Sequence, residues 1–92
     1  MYLSTIRSRI NPKSKEAEKF KKANRAYVNC YISFKDFSAA EKLAKLLVRQ
    51  EGWIPEQRTD AWKLQRAKLK TKEKRQYYSE ALKYGYSLVF HT

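Results

Sequence analysis

The sequence predicts an α+β domain of ferredoxin-like topology over residues 26–92, a four-stranded antiparallel sheet with two helices on one face, preceded by a basic N-terminal extension, residues 1–25. Three observations lead there. A run of strict apolar/polar alternation opens the domain at Ala26. Two helical stripes follow, each closed by one of the chain's two glycines. Between them lies a segment of strand formers with turn residues at its middle. The order is strand, helix, strand, strand, helix, strand, which is two βαβ halves. In that topology the first and third strands are central and the second and fourth are edges.

Residues 26–34 form the first strand. Ala26, Val28, Cys30, Ile32 and Phe34 point to a core, while Tyr27, Asn29, Tyr31 and Ser33 point away. Ser38 and Glu41 then have the spacing of a capping box. Ala40, Leu43, Ala44, Leu47 and Val48 recur at helical spacing, and Gly52 suits the left-handed position that ends a helix. Residues 53–58 read as an edge strand, because Pro55 removes a ladder donor. Thr59 and Asp60 have turn chemistry, so residues 61–66 are expected to return as a hairpin strand. Residues 66–75 read as a basic loop. Thr71 can cap a second helix, whose apolar face is Tyr77, Tyr78, Ala81 and Leu82, and Gly85 ends it. Residues 86–91 are the last strand, with Tyr86, Leu88 and Phe90 alternating against Ser87, Val89 and His91. In the extension, Tyr2, Leu3, Ile6 and Ile10 suit an extra strand or a docking segment, Asn11-Pro12 is a break, and residues 13–25 have weak helical character.

Charge is organised in blocks. Residues 7–25 carry eight Lys or Arg against two acids, residues 63–83 carry eight against two, and residues 26–62 balance at five of each, giving a net charge of +12. Small domains stay soluble at a magnitude of roughly 2–8, so this excess points to an anionic partner. A nucleic acid is the leading partner, with phosphates held by Lys63, Arg66, Lys68, Lys70, Lys72, Lys74 and Arg75, and by Arg25 with Lys19, Lys21 and Lys22. Tyr27 and Tyr31 would offer stacking surfaces from the open face of the sheet. That placement is similar to the one in RNA-recognition modules, but the Gly-containing aromatic motif of their third strand is absent around residues 61–66. Phosphate contacts carry no sequence information, so specificity is expected to be low.

Other chemistry is weakly signalled. The chain has no Gly-rich phosphate loop, no metal-spaced His pair and no nucleophile elbow. One Cys and one His cannot complete a Cys/His zinc site within one chain, and no cofactor is implied. Cys30 belongs to the inward set and His91 to an exposed strand end. The alternative to nucleic-acid binding is a protein-interaction module, either a homodimer through the open sheet and its edges or a docking factor for an acidic protein surface. A third reading makes Asp36 a ligand in a metal-dependent nuclease formed by a symmetric dimer; its bland counterpart is a loop Asp that caps the following helix. Trp53 and Trp62 would be cross-strand neighbours in a hairpin. Arg7 and Arg9 interrupt any export signal, no apolar run approaches a membrane span, and a lone Cys fits a reducing compartment, so a cytoplasmic protein is expected.

Overall fold

The computed structural model describes residues 1–15 and 25–91. In chain order it comprises β1 (Tyr2–Ile10), β2 (Arg25–Ile32), helix α1 (Phe37–Gln50), β3 (Trp53–Lys63), a single 3₁₀ turn (Arg66–Lys68), helix α2 (Lys72–Tyr84) and β4 (Tyr86–His91). The strands form one antiparallel sheet in the order β3-β1-β2-β4.

Local chemistry explains most of the boundaries. The alternation of β2 buries Ala26, Val28, Cys30 and Ile32, as the sequence predicts, whereas Phe34 lies beyond the strand and is exposed. Helix α1 is capped by Asp36 and not by Ser38: the Asp36 carboxylate accepts from the backbone N–H groups of Ser38 and Ala39, each at 3.3 Å. At the other end Gly52 has φ 85°, and its N–H donates to the Arg49 carbonyl at 3.0 Å. Thr71 Oγ1 accepts from the Lys74 N–H at 3.1 Å to open α2, and Gly85, at φ 91°, closes it through the Ala81 carbonyl.

The topology departs from the ferredoxin-like expectation in three ways. First, Tyr2–Ile10 forms the extra strand that the sequence allowed there, and that strand is central to the sheet. It pairs with β2 over residues 2–9 on one side and with β3 over residues 2–10 on the other, and Ile6 is fully buried. Second, the expected hairpin is one eleven-residue strand. Thr59 and Glu56 are the extra residues of two bulges, because Thr5 and Ile6 pair with Asp60 and Arg58, while Arg7 and Ser8 pair with Gln57 and Pro55. The turn-forming pair thus serves a bulge. A full-length partner in β1 satisfies more backbone groups than a hairpin of two short strands would. Pro55 does lie on an edge strand.

Third, the helices lie on opposite faces. Residues directly opposite one another in antiparallel strands share a face. Ile6, Val28, Cys30 and Ile32 pack with Ala40, Ala44, Leu47 and Val48 of α1, together with Trp53 of β3. Leu3 and Tyr31 project from the other face and pack with Ala81 of α2 and with Leu64 and Leu69 from the segment that precedes it. Burying Trp53, Ile6, Val28 or Val48 in the α1 layer contributes on the order of 1.5–3 kcal/mol each for the aliphatic side chains, and more for the indole. No helix among the described residues is long and apolar enough to cross a membrane.

Candidate nucleic-acid interface

The α2 layer covers only part of its sheet face. It lies over Leu3, Tyr31 and Ser87, near the Met1 end of β1. Moving along β1 and β2 away from that end, the same face presents Thr5 with Asn29, then Arg7 with Tyr27, then Arg9 with Arg25. Residues of one face follow every second position, roughly 7 Å apart, so these pairs form a continuous strip.

Two adjoining depressions lie on the strip. One is a cleft of about 420 Å³ floored by Thr5 and Asn29, walled by Trp62, and rimmed by Lys63, Lys68, Lys70 and Lys74. The other is formed by Arg7, Arg25, Ala26, Tyr27 and His91. A hydrogen-bonded chain joins them. The Thr5 hydroxyl donates to Asn29 Oδ1 at 2.8 Å, and Asn29 Nδ2 lies 3.2 Å from His91 Nε2. With Oδ1 accepting from Thr5, Asn29 Nδ2 is the donor toward His91 Nε2.

The sequence-predicted residues divide in three. Arg25, Tyr27, Lys63, Lys68, Lys70 and Lys74 line these depressions, and Tyr27 is 51% exposed. Arg66 and Lys72 are exposed but line neither. Arg75 is engaged elsewhere: its Nε donates to the Leu69 carbonyl at 2.9 Å and ties α2 to the preceding loop. Tyr31 does not offer a stacking surface. It is 3% exposed, with its ring 5.7 Å from that of Tyr77 on α2. Burial raises the pKa of its hydroxyl, and the neighbouring Tyr77 raises it further. The side chains of Lys19, Lys21 and Lys22 lie outside the described residues.

Three contributors escaped the sequence reading. Trp62 is 47% exposed beside the cleft, whereas Trp53 is 2% exposed on the opposite face against Phe90, so the two indoles are not neighbours. Arg7 and His91 join the strip only because β1 and β4 flank β2. The alternation of Thr5, Arg7 and Arg9 against Ser4, Ile6 and Ser8 was the available signal for Arg7. One carboxylate, Asp60, stands on the same face opposite Thr5. Asp36 sits at the start of the helix on the other face, where its carboxylate caps α1. Burial pushes the Cys30 thiol from 9.0 up to about 12, which makes it a poor nucleophile. Among the described residues no group of three or more His, Cys, Asp or Glu side chains is placed to hold a metal ion. The chain matches no family model, no curated protein and no solved structure.

Proposed function

We propose that this protein is a small basic binding module that engages nucleic acid through phosphate contacts on the α2 side of its sheet, with low sequence specificity. The observation that carries the reading is the convergence of cations from both charge blocks. Arg7 and Arg25 come from the first, and Lys68, Lys70 and Lys74 from the second; all five border two adjoining depressions on one face, while Lys63 lines the first cleft from a strand position whose register with Tyr2 is that of the α1 face. Like charges repel, and a fold that gathers them has a surface best neutralised by a polyanion. Titration of labelled oligonucleotide at about 50 and 200 mM salt tests this. With about six phosphates engaged, affinity should fall by roughly three orders of magnitude between the two. Absence of binding at the lower salt overturns the reading, and binding that ignores salt overturns the phosphate mechanism.

One observation favours a second reading, a homodimer. The two sheet edges differ. β3 carries Pro55 and two bulges, which blunt it, whereas β4 has no proline, no Lys, Arg, Asp or Glu, and unbroken pairing to β2. Strand addition at β4 would join two sheets without occupying the cationic strip. Light scattering across a concentration series decides it, since a monomer throughout removes this reading.

A further inference from the structure

We infer that the ligand of the cationic face is single-stranded, and that an unpaired base seats in the cleft against Trp62. This rests on the nucleic-acid reading above and narrows it. The cleft is concave, and its volume of about 420 Å³ falls in the ordinary range for sites that enclose a small organic group, roughly 300–1,000 Å³. Its charge is at the rim, on Lys68, Lys70 and Lys74. Its interior is uncharged: an indole wall, the apolar side chains of the α2 layer, and Thr5 and Asn29 on the floor. A duplex presents phosphates on its outside and keeps its bases stacked within. It would touch the rim and leave the interior unused. A single strand can place its backbone on the rim cations and turn a base inward.

The floor is equipped to read such a base. Asn29 spends one Oδ1 lone pair on Thr5 and one Nδ2 hydrogen on His91. One acceptor site and one donor site remain on the same amide, which is the pairing capacity a base edge needs. Trp62 supplies the stacking surface, being a large half-exposed aromatic at the edge of a basic cleft. The Asn29–His91 contact leads directly to the second depression, where Tyr27 lies among Arg7 and Arg25. Tyr27 is two residues from Asn29 on β2, within reach of a neighbouring nucleotide of an extended strand.

The experiment compares a mixed-sequence single strand of about 12 nucleotides, as RNA and as DNA, with its duplex, at about 50 mM salt and using the full chain. Intrinsic tryptophan emission is recorded alongside anisotropy. Trp53 is buried on the far face, so a change in emission on binding reports Trp62. The expected result is single-strand affinity at least about tenfold above that for duplex, with quenched emission. Trp62→Ala should weaken single-strand binding by about 5- to 150-fold while leaving the weaker duplex binding unchanged, and Trp62→Phe should recover most of the loss. Duplex binding as tight as single-strand binding overturns the inference. So does single-strand binding that leaves both the emission and the Trp62→Ala affinity unaltered. Both outcomes leave the nucleic-acid reading standing. Failure of both forms to bind ends that reading and the inference with it. Unchanged circular dichroism and melting of Trp62→Ala establish that its loss is not unfolding.

Discussion

Thr5 and Asn29 stand directly opposite each other on the two central strands, and the Thr5 hydroxyl donates to Asn29 Oδ1 at 2.8 Å. That bond sets the amide's orientation and commits Nδ2 to His91, so one cross-strand pair organises the polar floor between two cationic depressions. Asn29→Asp keeps the acceptor for Thr5 but introduces a carboxylate beneath the rim lysines. Oligonucleotide affinity should fall by about fivefold or more at moderate salt, an effect screened as salt rises. Stability should change by less than about 1 kcal/mol. Unchanged affinity would mean that no anion passes over this strip.

Arg7 carries a guanidinium whose Nε is buried with no hydrogen-bond partner among the described residues. Leaving such a donor unpaired costs on the order of 1–3 kcal/mol. Arg7→Met keeps the apolar stem and removes the charge. The two readouts should therefore move in opposite senses. The melting temperature should hold or rise by a few degrees, while oligonucleotide affinity falls and the slope of log K against log salt shrinks by about one. A substantial drop in melting temperature would instead assign Arg7 a structural partnership.

Most signals confined to one element were legible in the sequence, although the Ser38 capping box gave way to Asp36 and Phe34 lies beyond its strand. The alternation of residues 26–32, the Thr71 cap and the two left-handed glycines each state their own geometry, and each holds. Signals that depend on which strand meets which were not. Tyr2–Ile10 hides its centrality because Ser4 and Ser8, small and buried beside Ile6, look like solvent-facing positions, and because Tyr2 and Leu3 are both apolar where the sheet is covered on both faces. Tyr31 looked like an open-face aromatic because nothing local announces that α2 crosses to that side. Of the site, the charge blocks could be read directly. The placement of Trp62, Arg7 and His91 on one face arises only from pairing.

Cys30 makes alkaline stability a test of the α1 layer. Burial pushes its thiol from 9.0 to about 12, so the folded chain retains a proton that the unfolded chain gives up. The stabilisation is complete below pH 9 and is lost as pH rises toward 12, by about 4 kcal/mol in full at 1.36 kcal/mol per unit. Tyr31, also raised by burial, adds in the same direction at higher pH. Cys30→Ala removes the first contribution. Between pH 8 and about 10.5 it should lose about 2 kcal/mol less than the parent protein in denaturant titrations. Equal losses in both would place Cys30 within reach of water.

The cap of α1 separates a structural role for Asp36 from a chemical one. Its two carboxylate oxygens accept from Ser38 N–H and Ala39 N–H, and the helix it caps lies on the face opposite the cationic strip. Asp36→Ala leaves those donors without their partner and should cost about 1 kcal/mol, a fall of roughly 4–8 °C in melting temperature for a chain of this size. Asp36→Asn retains an accepting oxygen and should stay close to the parent. Ser38→Ala removes a hydroxyl that caps nothing and should be nearly silent. Oligonucleotide affinity should be unaltered in all three. The order of the three melting temperatures checks the assignment: a loss at Ser38→Ala with none at Asp36→Ala would return the cap to Ser38 and free the carboxylate for other work.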